Sequence, residues 1–297
     1  MDLRLLVGVL MRVYPDCIPC FLRQALEAAR RVTENRKEQR EVLSEVAALI
    51  PGLPMDATPV DMGREIHRTV NAVIGSVDPY REVKKEYNDR ALLLYPQLKQ
   101  RVKNSPDSLL TAIKLAAAGN VIDFGVGAKF DLSQSIEKGL REKLVGFDYA
   151  LLKERLEQVE EILYLGDNAG EIVLDKIVIE ELVSREKKVT FVVRGKPIIN
   201  DVTLKDASYV EMDKVANVIS SGCDAPGTTL RYCDSDFIET FGKSKLIIAK
   251  GHGNFEGLSE EDRPLFFLLK VKCPVVAAEL GATVGSIVLR AKVKGKM

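Results

Sequence analysis

At 297 residues the chain is long enough for one large domain or two ordinary ones, and its 46% apolar content can build a real core. Lys+Arg and Asp+Glu both total 43, so the net charge is zero; a general nucleic-acid or membrane-surface binder would carry a basic surplus or stripe. No apolar run has the length of a membrane span, and the five cysteines, at 17, 20, 223, 233 and 273, are odd in number and too widely spaced for a secreted disulfide framework.

Residues 1–10 are apolar but carry an acid at position 2 and no small-residue cleavage site, so they read as an extension before Met11 and not as a signal peptide. The chain is expected to be cytoplasmic. Residues 15–105 read as helices, over 21–32, 38–50, 60–74 and 80–95, with Pro59 at a helix start and Pro96 as a break. A helical subdomain over 1–105 is therefore expected, followed by an α/β domain over 106–297. Within the latter, Asp107 or Ser108 caps a helix over 109–118, and Asn120 and Asp123 lie in a Gly-rich turn. Such residues commonly serve only to form the turn. A further helix is expected over 148–158.

From Glu161 the rhythm becomes strand, helix, strand. Strands are predicted at 162–165, 189–193, 209–212, 246–249, 275–278 and 286–289, with helices over 172–185, 198–207 and 260–269. The alternation predicts an α/β fold, a Rossmann-like and mostly parallel sheet flanked by helices, with the helical N-terminal part packed against it.

The first strand ends in Gly166-Asp167-Asn168-Ala169-Gly170-Glu171. Open α/β sheets put their chemistry outside the carboxyl ends of strands. A carboxylate and an amide oxygen side by side there suit a hard divalent cation. The competing reading is a helix cap with Glu171 completing a capping box. The next strand runs into Arg194-Gly195-Lys196-Pro197, and Asp201 would emerge on the same sheet edge; it could also merely shape a helix start. Two carboxylates and one amide leave room for water and a phosphate oxygen, as in sites for Mg²⁺-like ions.

A third strand leads into Lys250-Gly251-His252-Gly253-Asn254-Phe255-Glu256. There glycines let backbone N–H groups approach a phosphate, and Lys250 could neutralise it. The spacing is neither a Walker A motif nor a dinucleotide fingerprint. Lys272, at the expected start of a buried strand, could reach the same crevice. The small-residue loop 220–229 is a turn or an anion-binding nest. Cys17-x-x-Cys20 leaves three readings open: a redox pair, part of a second metal site, or two buried thiols.

Taken together and in this order, Asp-Cys-Ile-Pro-Cys (16–20), Gly-Asp-Asn-Ala-Gly-Glu (166–171), Asn200-Asp201, Lys-Gly-His-Gly-Asn-Phe-Glu (250–256) and Lys-Val-Lys-Cys-Pro (270–274) resemble the DUF89 family of metal-dependent damage-control phosphatases, in its short prokaryotic and archaeal branch. The resemblance implies a divalent metal (Mn, Co, Ni or Mg) on Asp167, Asn168 and Asp201. It also implies substrate contacts from His252, Gly253, Asn254, Phe255, Glu256 and Lys272, with Asn120 and Asp123 near the site. The chain departs from the branch at His252, where relatives often carry Gln. The expected activity is hydrolysis of small phosphorylated metabolites, with no nucleic-acid or membrane partner. Rival readings are an S-adenosylmethionine-dependent methyltransferase and a non-catalytic sugar-phosphate or nucleotide binder.

Overall fold

A computed structural model describes residues 11–54, 56–119, 140 and 144–292. Residues 1–10, Asn120 and Asp123 lie outside the described residues. Helices α1 (Cys17–Val32), α2 (Arg36–Leu49) and α3 (Pro59–Ile74) are followed by α4 (Arg81–Lys103) and α5 (Ser108–Ala118). Local signals set several ends. Thr58 and Asp61 form a capping box around Pro59, Gly75 closes α3 in the left-handed region, and the Asp107 side chain accepts from the Leu110 N–H.

Helices α1 to α3 share a core of their own around Phe21, Ala25, Val42, Val46, Ile66 and Val70. Helix α4 instead turns Ala91, Leu94, Leu98 and Val102 into the core of the sheet. The stretch expected as one helical subdomain, 1–105, thus contains helices of two cores. Helix α4 also continues through Pro96, where the sequence predicts a break. Its buried positions keep helical spacing on both sides of the proline, and that packing outweighs the roughly 3 kcal/mol an interior proline costs.

Among the described residues seven strands form one sheet: β1 (Leu144–Phe147), β2 (Glu161–Leu165), β3 (Lys188–Val193), β4 (Asn217–Ser220), β5 (Ile247–Lys250), β6 (Leu265–Lys270) and β7 (Ile287–Lys292). Their order is β1-β7-β6-β5-β2-β3-β4, parallel except for the antiparallel pair β6 and β7. Helices α6 (Tyr149–Gln158), α7 (Glu171–Val183), α8 (Leu204–Tyr209), α9 (Ser235–Lys243), α10 (Gly251–Leu258) and α11 (Pro274–Leu280) connect them. Alternate strand residues feed opposite faces, Ile162 and Tyr164 towards α4, α5 and α7, Leu163 and Leu165 towards α9, α10 and α11. Chain direction across the sheet reverses between β2 and β5, the switch point at which such sheets bind ligands. No described helix is long and apolar enough to cross a membrane.

Four sequence predictions change. Residues 265–270, expected at the end of a helix, form β6: Leu-Phe-Phe-Leu-Leu is a continuous apolar run buried on both faces, and Pro264 stops any helix before it. Residues 275–278, expected as a strand, lie in α11, because Cys273 caps its first turn, Pro274 takes its first position and Gly281 ends it in the left-handed region. Residues 209–212 close α8 and enter a short 3-10 turn, and the edge strand β4 begins later, at Asn217. The helix expected over 198–207 shrinks to α8, which starts at a Thr203–Asp206 capping box.

His67, on α3, is 2% exposed and its Nε2 has no hydrogen-bond partner among the described residues. Burial lowers its pKa from 6.5 to about 4. A lowered histidine pKa means that the unfolded chain takes up a proton which the native state refuses. The stability is therefore intact above pH 6.5 and is lost as pH falls towards 4. The full loss is about 3 kcal/mol. Urea unfolding at pH 7.5 and 4.5 should show His67→Leu losing about that much less stability over the interval than the parent chain. Equal losses in the two proteins would contradict a neutral buried His67.

Candidate active site

Strand β2 ends at Leu165 and hands the chain to Gly166, which approaches Phe191 so closely that a Cβ would lie 2.5 Å from the ring. Asp167 and Asn168 follow at the carboxyl edge, and Gly170, at φ +81°, turns the chain into α7. No side chain caps α7, so the helix-cap reading of Asp167 and Asn168 does not hold. The Asn88 side chain accepts from the Gly170 N–H at 2.7 Å.

Residues 200–202 return alongside this turn. The Val202 N–H donates to the Asp167 carbonyl at 2.9 Å, and the Ala169 N–H donates to the Asn200 carbonyl at 2.8 Å. Asn168 and Asp201 form an antiparallel backbone bridge. Main-chain pairing of two separate loops thus brings Asp201 to Asp167. The Asn168 amide nitrogen donates to Asp167 Oδ2 at 2.8 Å and to Glu171 Oε1 at 2.9 Å. Carboxylates only accept, so the amide is held with its NH₂ towards them and its oxygen left for another partner.

Behind these residues stands Arg194, immediately after β3 and only 1% exposed. Its Nε donates to Asp201 Oδ2 at 2.8 Å, and its terminal nitrogens donate to Thr228 Oγ1 at 2.9 Å, Asn254 Oδ1 at 3.1 Å and the Gly166 carbonyl at 3.4 Å. One guanidinium therefore ties together the loops after β2, β3 and β4 and the first turn of α10. The sequence reading missed it. Its signal was a charged residue directly ending the run Val-Thr-Phe-Val-Val, where only a buried counter-charge makes an arginine tolerable.

Lys250, expected to face a phosphate, is 1% exposed. Its Nζ lies 3.1 Å from Asp175 Oδ1 and 3.3 Å from Glu171 Oε2, and the Tyr164 hydroxyl donates to the same Asp175 oxygen at 2.8 Å. Burial opposes the ammonium's charge, but Asp175, Glu171 and Asp167 outweigh it and raise its pKa. Lys250 is thus a buried counter-ion to the carboxylates of α7.

Residues 251–256 are expected to form a substrate-facing loop, but they begin helix α10. Two glycines disguise the helix by propensity, and tertiary packing overrides them. Gly251 takes φ +83°, and a Cβ there would come within 1.9 Å of Asp167 Oδ2; only glycine lets the β5–α10 turn pass so close. Asn254 is buried and donates to the Lys250 and Gly166 carbonyls at 2.7 and 3.1 Å. Phe255 is a core residue, edge-on to Phe267 with ring centroids 5.2 Å apart. Gly253 is packed against the Pro226 carbonyl. Glu256 is half-buried, and that burial pushes its carboxyl up to about 8. His252 contacts main chain, through its Nε2 to Lys270 and Lys272. Lys272 is exposed, between β6 and α11 and not in a strand.

Electrostatically the site is a buried acidic cluster. Burial, then Glu171 and Asp201, push the Asp167 carboxyl well above the usual range, while Lys272 and Lys250 pull it back. Burial also raises Asp201, against the pull of Arg194. Elsewhere, Cys17 and Cys20 are partly buried free thiols at the start of α1, and Cys20 Sγ accepts from Gln24 at 3.2 Å. Burial raises the Cys17 thiol, and the nearby charges of Glu256 and Cys273 add to it. Among the described residues no group of three or more His, Cys, Asp or Glu side chains could by itself hold a metal ion.

A family pattern described as "Damage-control phosphatase ARMT1-like domain" matches residues 13–288. A damage-control phosphatase of Pyrococcus horikoshii is 36% identical over 94% of this chain and 97% of its own length. One from Archaeoglobus fulgidus is 32% identical over 94% of this chain and 99% of its own length. The crystal structure of a DUF89 family protein from Pyrococcus horikoshii superposes with a TM-score of 0.87 at 35% identity, covering 96% of this chain and all of that one. Pattern, relatives and fold agree from end to end, and the chain belongs to the damage-control phosphatase ARMT1-like (DUF89) family.

Proposed function

We propose that this protein is a metal-dependent phosphomonoesterase that hydrolyses small phosphorylated metabolites, with Asp167, Asn168 and Asp201 as the metal-holding residues. The observation that supports this most is the main-chain pairing of 167–169 with 200–202, which draws two carboxylates and an oriented amide together at the sheet's switch point.

The donors fit a hard divalent cation. They are oxygens only, and Asp167, Glu171 and Asp201 repel one another in a buried place, a repulsion that a bound cation relieves. The shell is sparse, which leaves positions for water and for phosphate oxygens. Mn²⁺, Co²⁺, Ni²⁺ and Mg²⁺ all suit such donors. When bound, the ion supplies Lewis-acid polarisation of the phosphoryl oxygens. The chain's own residues do the rest. Asn168, pinned by Asp167 and Glu171, keeps its amide oxygen in a fixed direction. Arg194 holds the Asp201 carboxylate in place, and Lys250 compensates Glu171 and Asp175 from below. Lys272 is exposed, and its charge acts on Asp167. That effect supports Lys272 as the cation that meets the negative charge on the transferred phosphoryl group.

The test is phosphate release from a panel of phosphomonoesters, by protein stripped with chelator and then reloaded with each metal separately. Release should return with at least one of the four ions. No release from any ester with any ion, from folded protein, would remove the phosphatase reading; methyl transfer from S-adenosylmethionine in the same preparation would favour the rival enzyme.

A further inference from the structure

His252 is the second residue of α10, at the rim of the site, yet its ring is turned to main chain. Nε2 lies 2.9 Å from the Lys270 carbonyl and 2.9 Å from the Lys272 amide nitrogen. An N–H can only donate and a carbonyl can only accept. Nε2 therefore serves one or the other according to tautomer, and in either case the ring is fixed against the backbone on both sides of Val271. The rest of that connection is also tied down. The Val271 N–H donates to the Ser286 carbonyl, the Gly285 N–H donates to the Val271 carbonyl, and Cys273 Sγ accepts from the Val276 N–H. Val271 itself is buried, whereas Lys272 is exposed, with a charge felt by both Asp167 and His252.

We infer that His252 is a positioning residue: it fixes the backbone of Lys272 and so sets where that ammonium meets the phosphoryl group, without itself touching substrate or carrying a proton. The inference rests on the phosphatase reading for its consequence, though not for its geometry. Burial, then the adjacent Lys272 charge, lower the ring's pKa to about 4, which agrees with a neutral imidazole at working pH. The requirement is for a side chain that reaches this main chain with an acceptor for the Lys272 N–H or a donor for the Lys270 carbonyl. Glutamine carries both on one amide, can serve the N–H and the carbonyl together, and cannot titrate.

The experiment compares the parent chain, His252→Gln, His252→Ala, Lys272→Ala and the double variant His252→Ala/Lys272→Ala. Two quantities are read: exchange of the Lys272 backbone amide with deuterium, and affinity for inorganic phosphate by calorimetry on protein loaded with Mn²⁺. His252→Ala should speed Lys272 amide exchange and weaken phosphate roughly tenfold, the order expected when a hydrogen bond beside a charge is lost. His252→Gln should restore both to within about threefold of the parent. The double variant should bind phosphate no more weakly than Lys272→Ala alone, because the histidine acts through the lysine. Losses that add in the double variant, or a Gln variant as impaired as Ala, would overturn the positioning role. Unchanged amide exchange in His252→Ala would overturn it even in a protein that binds no phosphate. Absence of phosphate binding and ester hydrolysis in the parent chain would count against the phosphatase reading instead.

Discussion

Asp167→Ala and Asp201→Ala should each reduce phosphate release by at least about a hundredfold, through loss of the metal and the charge stabilisation it provides. Asp167→Ala should keep its stability, whereas Asp201→Ala also strips the buried Arg194 of its counter-charge and should be less stable, so its activity is read on the folded fraction. Asp167 sits in a buried acidic cluster in which Glu171 and Asp201 disfavour its charge. Removal of one negative charge therefore relieves repulsion, and the metal-free Asp167→Asn protein should melt no lower than the parent. Thermal melting in chelator and ester hydrolysis with added metal check the two halves separately. A helix-capping role predicts the reverse pattern, with stability lowered by about 0.5–2 kcal/mol and activity kept. Full metal-stimulated turnover in both alanine variants would mean that the site lies elsewhere.

Arg194→Met should be the most damaging single change outside Asp167, Asn168 and Asp201, costing about 3–5 kcal/mol, because it leaves the buried Asp201 carboxylate without its counter-charge. Three further acceptors, on Thr228, Asn254 and Gly166, lose their donor at the same time. Arg194→Lys should recover little of this. An ammonium can replace the charge beside Asp201, but not a planar fork that reaches three loops and a helix at once. Denaturant unfolding gives the stability loss. Residual activity of the folded fraction should also be low, since Asp201 is then free to turn away from Asp167. An Arg194→Lys protein with parental stability and turnover would show that the network is dispensable.

How far the sequence reveals this site depends on whether a residue's partners are near it in the chain. Asp167 and Asn168 are legible because an apolar strand ends in glycine and polar residues before a helix, a local pattern. Asp201 is legible because a second strand ends in the same way, although its backbone pairing with residue 168 leaves no sequence signal. Lys250 misleads. A lysine before a glycine-rich stretch looks like a phosphate binder, and nothing adjacent reveals Asp175, one helical turn beyond Glu171, as its partner. Arg194 is opaque for the same reason, its four contacts lying 7 to 60 residues away. In the fold, the alternation of strand and helix predicts the parallel sheet and most helices up to α7. The errors cluster at 260–280, where an apolar run fits helix and strand equally well and only Pro264 and the Cys273-Pro274 start signal separate them.

The most direct measurement is an anomalous difference map from crystals soaked in Mn²⁺. A single strong peak is expected within coordination distance of Asp167, the Asn168 amide oxygen and Asp201, about 2.0–2.6 Å for a hard cation on oxygen ligands. No peak there at saturating Mn²⁺, or a peak at the Cys17, Cys20 and Cys273 thiols instead, would contradict an oxygen-ligated catalytic metal at the switch point of this sheet.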